Sequence, residues 1–381
     1  MSDTRIDFLY LNEKDMIDAG VLDAGHCVET MEEVLCLLAK GDVLMGGKNR
    51  REHGIQLIFP KESEIPGFPL EDSRDRRFMS MPAYLGGRFH LAGEKFYGSN
   101  GRNVRKGLPR SILMATLNDV ETGAPLAYMS ANLLSSMRTG AMPGLATKLL
   151  AREDSKVLTM LGAGPIAKAC FRAIMTNAKN IDTVKIKAGS LKSKTAAALK
   201  EFIETHYKQV KEVIICETLE EAVRGSDIIS ESVSVKPGQY PTYKKEWLKP
   251  GVTLIATSFF NMDKKELVGI RKVVDNWKMY EEYGIEDEEG YDENGMRKAT
   301  GCMGEEFYYM VEDGLITRDS IDHLGEIIRG KKPGRKSDDE IIFVAIEGMP
   351  IEDVAWGSEI YRNAVDHGIG TQLKIWDHSS R

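Results

Sequence analysis

The spacing of apolar residues changes character along the chain. Over residues 12–40 they recur at helical spacing, which predicts a helix that either Asn12 or Asp23 can cap. From about residue 43 to residue 130 the apolar runs are short and broken by Gly and Pro, a pattern typical of a mixed sheet with hairpins. The segment "LNDVETGAPLAYM" is one such hairpin, with Asp119 to Gly123 supplying the turn.

After residue 150 buried-strand runs alternate with helical segments. The predicted strands are residues 156–161, 183–188, 212–217, 227–233, 251–257 and 272–276. Strands that alternate with helices at this spacing predict βαβ units and a parallel, doubly wound sheet, the α/β class. A last helical pattern, residues 351–368, closes the chain.

The stretch "LTMLGAGPIAKACF" joins the first of these strands to a helix and contains a G-x-G-x-x-A fingerprint. Gly162 would allow the tight turn, Gly164 the close approach of a pyrophosphate, and Ala167 the close packing of helix on strand. The alternative is a glycine turn without a ligand. The position between strand and helix, at the head of a βαβ array, favours a dinucleotide site with pyrophosphate on the helix N-terminus.

The end of the second strand bears on the choice of cofactor. An NAD site places Asp or Glu there for the ribose 2′-hydroxyl, whereas this chain reads "KIKAGSLKSK", with no acid. Ser190 and Lys192 suit a 2′-phosphate; the alternative is a solvated basic loop. The sequence therefore favours NADP, with NAD as the second choice.

Length, charge and cysteine usage narrow the class of protein. A chain of 381 residues exceeds one compact core and predicts two domains, and a net charge of −7 argues against general nucleic-acid or anionic-membrane binding. The acid-rich residues 280–295 predict a surface insertion or loop. The chain has no apolar run near 18 residues and no signal-peptide layout at its N-terminus. Its five scattered cysteines predict reduced thiols in the cytoplasm and no metal site.

Two basic residues in the first half stand in unusual surroundings. Lys95 lies in an apolar strand between glycines, and Arg138 lies at the start of a predicted helix just before the nucleotide-binding part. A buried Arg fork together with a Lys commonly holds a carboxylate. The alternative for Arg138 is a structural ion pair.

Five segments, in order along the chain, resemble the ornithine cyclodeaminase/mu-crystallin family. They are "MPAYLGG", "EKFYGSN", "GLPRSILMATLNDVETGAPLAYMSANLLSSMRTGA", "GAGPIA" and "RGKKPGRKSDDEI…GMPIEDVAWGSEIY". The resemblance implies a Rossmann NAD(P)-binding domain, residues 141–344, inserted into a mixed α+β substrate-binding and dimerisation domain, residues 1–140 plus 345–381. It also implies an amino or imino acid as substrate.

The resemblance also implies roles for individual residues. Lys95 and Arg138 would bind the substrate carboxylate, with Lys95 near the reacting carbon. A further carboxylate-binding residue would be Lys48, Arg50 or Arg51, of which we take Arg51. The predicted cofactor-binding residues are Ser111, Thr139, Gly162, Ala163, Gly164, Pro165, Ile166, Ser190, Lys192 and Ser232.

Departures from the family pattern favour one type of reaction over another. Cyclodeaminases carry an Asp in a "GDCPGKTEL"-like segment, and counting back from Leu267 places that position on Phe260. Asp263 instead lines up with the Asp of the "RPDWREL" pattern of mu-crystallin-like members. An apolar ring can neither bind an ammonium group nor act as a base, which argues against cyclisation of ornithine.

The sequence therefore predicts an oxidoreductase that acts at the Cα–N bond of an amino or imino acid, with Lys95, Arg138 and Asp263 as catalytic residues. The alternatives are an ornithine cyclodeaminase and a non-catalytic protein that binds NADPH and a ligand. A homodimer is expected, with the N-terminal sheet and the 351–368 helix at its interface. The apolar helix residues assigned to that interface are Val354, Trp356, Ile360 and Val365.

Overall fold

The structure is a computed structural model that describes residues 4–73, 75–234, 239–286 and 302–380. The chain folds into two compact units. The terminal unit consists of Met1–Asp23, Lys40–Arg138 and Met349–Arg381, and the central unit of Ala24–Ala39 and Thr139–Gly348.

The terminal unit is built on a mixed sheet of eight strands. They are β1 (Ile6–Leu11), β2 (Val43–Met45), β3 (Ile55–Ile58), β4 (Arg77–Leu85), β5 (Leu91–Ser99), β6 (Ser111–Asp119), β7 (Pro125–Ser130) and β16 (Thr371–Trp376). Their order is β16-β1-β7-β6-β5-β4-β2, with β3 also paired to β4. Only β1 and β7 pair in parallel. The predicted hairpin joins β6 to β7, and Asp119 Oδ1 accepts from Thr122 N at 2.8 Å in its turn.

The central unit is built on a sheet whose eight strands are all parallel. They are β8 (Val157–Leu161), β9 (Thr183–Lys187), β10 (Glu212–Ile215), β11 (Ile228–Glu231), β12 (Thr253–Ala256), β13 (Arg271–Val274), β14 (Ile321–His323) and β15 (Ile342–Ala345). The strands are arranged in the order β10-β9-β8-β11-β12-β15-β13-β14. From β8 the chain first adds strands on one side, β9 and β10, and then crosses to the other side to form β11. The predicted doubly wound Rossmann sheet is confirmed. The sequence pattern missed β14 and β15.

Eleven α-helices lie within the described residues. They are α1 (Glu13–Asp18), α2 (Ala24–Lys40), α3 (Asn132–Leu150), α4 (Pro165–Asn177), α5 (Lys194–His206), α6 (Leu219–Val223), α7 (Lys264–Val268), α8 (Trp277–Glu286), α9 (Met303–Glu312), α10 (Leu324–Ile328) and α11 (Pro350–His367). None of the described helices is both long enough and apolar enough to cross a membrane.

The single helix predicted over residues 12–40 is in fact two helices. Asn12 caps α1, and the chain then turns through Gly20, whose φ of +90° favours glycine, before α2 begins. The second helix groups with the central unit, whereas the sequence-based division placed it with residues 1–140. Lys148 forms an ion pair with Glu32 of α2, and Arg329 donates to the carbonyl oxygen of Ala39.

Two further boundaries differ from the prediction. Helix α3 begins at Asn132, so Arg138 lies well inside the helix and not at its start. The acidic residues 280–295 were predicted to form a loop, but the residues up to Glu286 belong to α8. Residues 287–295 of that stretch lie outside the described part of the chain, which omits residues 287–301.

Helix α11 forms part of the core of the terminal unit. It packs on β4, β5 and β6, and it buries Val354, Trp356 and Ile360 almost completely. The prediction that these three residues form a dimer interface is therefore wrong, because this unit's own sheet covers them. Of the four apolar residues assigned to that interface, only Val365 is exposed, at 53%.

Candidate active site

Lys95 lies on β5, in the middle of the terminal unit's sheet, and its side chain is 3% exposed. Its register partners are Met81 on β4 and Ala115 on β6. Strand side chains alternate between the two faces, so Lys95 points to the face that α11 covers, whereas the next residue, Phe96, is exposed on the opposite face. A buried ammonium group requires a partner.

The partner of Lys95 is Asp353 on α11. Lys95 Nζ lies 2.8 Å from Asp353 Oδ2 and 3.2 Å from Ser135 Oγ. The second oxygen, Asp353 Oδ1, accepts from Arg138 Nε at 3.0 Å, and Arg138 Nη1 donates to Glu352 Oε2 at 3.0 Å. We call Lys95, Arg138, Glu352 and Asp353 the buried charge cluster.

Burial and neighbouring charges set the protonation of this cluster. Burial and the Arg138 charge lower the pKa of Lys95 to about 8, although Asp353 partly offsets them. Burial opposes ionisation of Asp353 and Arg138 as well. Even so, the adjacent cations hold the pKa of Asp353 below its usual value, and the two carboxylates hold the pKa of Arg138 above its usual value. Lys95 is therefore the member that can exchange a proton near neutral pH.

Arg138, which is 4% exposed, forms ion pairs with Glu352 and Asp353, as the alternative of a structural ion pair predicted. Its guanidinium group nevertheless retains donors. None of the residues that the structure describes accepts a hydrogen bond from Arg138 Nη2. A substrate carboxylate could therefore bind the outer edge of the fork without displacing either carboxylate.

The other predicted residues of this region are less buried. Arg51 is half-buried, and its Nη1 donates to the carbonyl oxygens of Val43 and Arg50. Lys48 and Arg50 are exposed. Burial lowers the pKa of Arg51.

Ser111 and Thr139 complete the set assigned to this part of the chain. Ser111 Oγ shares a hydrogen bond of 2.7 Å with Ser99 Oγ at the edge where β5 and β6 pair. Thr139 is half-buried and follows Arg138 in α3.

The glycine fingerprint forms the turn between β8 and α4 in the central unit. Gly162 has a φ of +101°, and a Cβ at this position would lie 2.9 Å from the Ser232 carbonyl oxygen, so only glycine fits. Gly164 is the N-cap of α4 and makes no side-chain cap hydrogen bond. A Cβ on Gly164 would meet nothing within 4 Å, which leaves open space above the first amides of the helix.

This geometry fits the pyrophosphate of a dinucleotide. The uncapped amides at the start of α4 and the helix dipole both favour an anion at that place. Around the turn, Ala163 and Ser232 are partly exposed, and Pro165 and Ile166 are exposed. Ser190 and Lys192 are exposed in the loop between β9 and α5, and that loop contains no acidic residue.

Asp263 and Phe260 have structural explanations. The Asp263 side chain accepts from Lys265 N at 2.7 Å and caps α7, which accounts for an exposed Asp without catalysis. Phe260 lies in the core of the central unit. Its ring centroid is 4.3 Å from the ring centroid of Tyr243 and 4.8 Å from that of Phe343. The aligned position is apolar, as the sequence indicated, and it is fully buried.

Sequence reasoning missed the acidic half of the buried charge cluster. Glu352 and Asp353 stand in "GMPIEDVAW", where the residues on both sides are apolar. Two adjacent acids in an apolar stretch require cationic partners when the stretch is buried, and that pattern was the available signal. Glu231, which ends the apolar run of β11, carried a similar signal.

Comparison with known proteins extends over both units. A model of the ornithine cyclodeaminase/mu-crystallin family matches residues 22–368. The alanine dehydrogenase of Archaeoglobus fulgidus is 30% identical, covering 91% of this chain and 98% of the relative. The N-((2S)-2-amino-2-carboxyethyl)-L-glutamate dehydrogenase of Staphylococcus aureus is 27% identical, covering 97% and 99%. The solved structure of an archaeal alanine dehydrogenase dimer with bound NAD is similar, with a TM-score of 0.76 and 27% identity, covering 97% of this chain and 100% of that one.

Proposed function

Because this chain belongs to the ornithine cyclodeaminase/mu-crystallin family, we propose that it is an NAD(P)-dependent oxidoreductase acting at the Cα–N bond of an amino or imino acid. The dehydrogenase activities named for its two relatives support this function. The observation that carries it in this chain is the buried charge cluster, in which Lys95 combines full burial with a pKa of about 8.

The residues of the terminal unit bind and orient the substrate. Arg138 Nη2 holds the substrate carboxylate, Arg51 adds a second positive charge, and Lys95 takes or returns the proton of the reacting nitrogen. Asp353 fixes Lys95 and Arg138 relative to each other through its two oxygens. Orienting the reacting carbon in this way is a large part of what such an enzyme contributes.

The central unit binds the cofactor, which supplies a hydride donor or acceptor when bound. Gly162 and Gly164 admit the pyrophosphate, and Ser190 with Lys192 bind a 2′-phosphate, so NADP is preferred over NAD. NAD is the alternative, because the similar structure of an archaeal alanine dehydrogenase contains bound NAD. The terminal unit is accordingly the substrate-binding domain and the central unit the NAD(P)-binding domain.

The protein assembles as a homodimer through the outer face of the terminal unit's sheet. This face carries the exposed apolar side chains of Leu57, Phe78, Phe96 and Ile112 on adjacent strands. Phe78 and Phe96 stack with their ring centroids 6.0 Å apart. An apolar patch of this kind marks an interaction surface, and the alanine dehydrogenase structure is a dimer.

A reducing compartment, the cytoplasm, fits the cysteines. None of the five, all of which lie in the described part of the chain, forms a disulfide, and four of them are buried. Free thiols persist where the redox poise keeps them reduced.

The test is a nicotinamide absorbance assay with a substrate panel. NADP and NAD are paired with amino acids, including L-alanine and N-((2S)-2-amino-2-carboxyethyl)-L-glutamate, and NADPH and NADH with cyclic imines and with α-keto acids plus amines. A lasting absorbance change with at least one partner is expected. No change with any member, by a protein that binds the cofactor, would favour the non-catalytic alternative.

A further inference from the structure

The central unit contains a buried carboxyl group that the reaction described above does not use. Glu231 is the last residue of β11, in the middle of the parallel sheet, and it is completely buried. Among the described residues it forms no ion pair. The ionisable groups that face it are Tyr243 and Cys170, and burial raises the pKa of both, so they stay uncharged near neutral pH. A buried carboxylate without a described cation is costly unless a ligand compensates it.

The position of Glu231 relates it to the glycine fingerprint. The next residue, Ser232, donates its backbone N–H to Leu161 O at 2.8 Å, and the Ser232 carbonyl oxygen lies against Gly162. Glu231 therefore lies beside the point where the strand order reverses, between β8 and β11. Ligands of doubly wound sheets bind at this point, beyond the carboxyl ends of the strands.

The fold also indicates which half of a dinucleotide lies over β11. The adenine ribose is read at the end of the second strand, here β9, on one side of β8. The nicotinamide half then belongs to the other side, above the ends of β11 and β12. Glu231 is the last residue of β11, and Ser258 lies just after the end of β12.

The hydrogen bonds around Glu231 accommodate both protonation states. Val233 N donates to Glu231 Oε1 at 2.8 Å. Ser258 Oγ lies 2.9 and 2.8 Å from the two carboxyl oxygens and 2.9 Å from Val233 O. A hydroxyl group has a single hydrogen, so Ser258 donates either to a carboxylate or, when Glu231 is protonated and donates to it, to Val233 O.

We propose that Glu231 is a redox-state selector for the cofactor: its carboxylate favours the positively charged, oxidised nicotinamide over the neutral, reduced one. This rests on the proposed cofactor binding. Burial raises the pKa of Glu231 to about 7, against the opposing effect of the Val233 and Ser258 hydrogen bonds, so the group titrates near neutral pH. Binding of the oxidised cofactor lowers that pKa and releases a proton, whereas binding of the reduced cofactor does not.

The test measures the dissociation constants of oxidised and reduced cofactor, by calorimetry and fluorescence, from about pH 6 to about pH 8. Their ratio cancels the titration of any 2′-phosphate, which both forms share. In the unchanged protein the preference for the oxidised form should increase as pH rises and level off above about pH 7. Glu231→Gln keeps the shape of the side chain but not its charge. In this variant the ratio of the two dissociation constants should not change with pH, and at the highest pH it should be shifted about tenfold towards the reduced form relative to the unchanged protein.

Two variants sharpen the result. Glu220→Gln removes one negative charge from an exposed ion pair with Arg224 in the same unit and should leave the ratio unchanged. Ser258→Ala removes a hydrogen bond that stabilises the carboxylate, so it should move the midpoint of the pH dependence upward.

Three outcomes would overturn the proposal. If Glu231→Gln weakened both cofactor forms equally, Glu231 would only support the loop. If the ratio did not depend on pH in the unchanged protein, the carboxyl group would not be coupled to the cofactor charge. If the unchanged protein bound neither cofactor, the proposed function would fail as well. Thermal unfolding without cofactor verifies that each variant is folded.

Discussion

Asp353 bridges the two basic residues of the proposed substrate site, with one carboxyl oxygen on Lys95 and the other on Arg138. This bridge explains how two cations can lie side by side in an apolar interior. Removing one member leaves an uncompensated buried charge, which costs far more than an exposed ion pair is worth.

Substitution of Lys95 tests the substrate site directly. Lys95→Ala should lose most of the activity, roughly 10²–10⁴-fold, because it removes the group that takes or returns the proton of the reacting nitrogen. Lys95→Arg should fail too, since a planar fork does not replace a compact ammonium group. Steady-state kinetics, alongside thermal unfolding, measures both. Activity close to that of the unchanged protein in a folded Lys95→Ala variant would remove Lys95 from the mechanism.

Substitution of Asp353 tests whether Lys95 is the group that titrates. Asp353→Asn removes a charge that raises the pKa of Lys95, so that pKa should fall below about 8. In amino-acid oxidation Lys95 accepts a proton, so its side chain must be neutral. The acid-side limb of the kcat/KM profile should therefore move to lower pH. Ser135→Ala, which removes only an uncharged contact to Lys95 Nζ, should leave the limb in place. An unmoved limb in Asp353→Asn would assign the titration to another group.

The sequence revealed one half of this cluster and not the other. Lys95 was conspicuous because a charge interrupted an apolar strand. Adjacent acids on a helix usually face solvent, and the sequence does not show that the sheet covers Glu352 and Asp353. For Asp263 the aligned pattern suggested catalysis, whereas the local structure explains the residue as a helix cap.

At the scale of elements, the strand–turn–helix unit around Gly162 followed from the sequence because its residue requirements are local. The break between α1 and α2 and the short strand β15 did not. A strand of four apolar residues, Ile342–Ala345, has too few positions to show a period, and it becomes a strand because β12 and β13 lie on either side of it.

The β9–α5 loop carries the cofactor prediction. NADPH should bind several-fold more tightly than NADH, because Ser190 and Lys192 meet the 2′-phosphate and no acid repels it. Lys192→Ala should reduce that preference about tenfold, and Lys208→Ala, at an exposed lysine elsewhere in the same unit, should not change it. Fluorescence titration measures both. Tighter binding of NADH by the unchanged protein would contradict the 2′-phosphate assignment and leave the glycine turn unaffected.

At the scale of the whole molecule, the terminal unit's sheet has two apolar faces in different surroundings. Helix α11 covers one face within the protomer, and the other exposes Leu57, Phe78, Phe96 and Ile112. Sequence periodicity identified the apolar residues of α11 but could not show that the protomer itself buries them.

Assembly can be tested by introducing a charged residue on each candidate interface surface. Phe96→Asp, on the outer face of the sheet, should yield a monomer in sedimentation at micromolar concentration, because it places a carboxylate in an apolar interface. Val365→Asp, on the exposed part of α11, should remain a dimer. The reverse pair of results would restore the helix as the interface.

The most direct test of the central claim follows the α-hydrogen of the substrate. An amino acid from the active panel, deuterated at Cα, is incubated with the oxidised cofactor, and the nicotinamide product is analysed by mass spectrometry. Hydride transfer at the Cα–N bond predicts one deuterium in each reduced cofactor that accumulates, together with the imino or keto product. Reduced cofactor without deuterium would contradict the account. So would release of ammonia and proline from ornithine with no net change in the cofactor, which is the outcome that a cyclodeaminase would give.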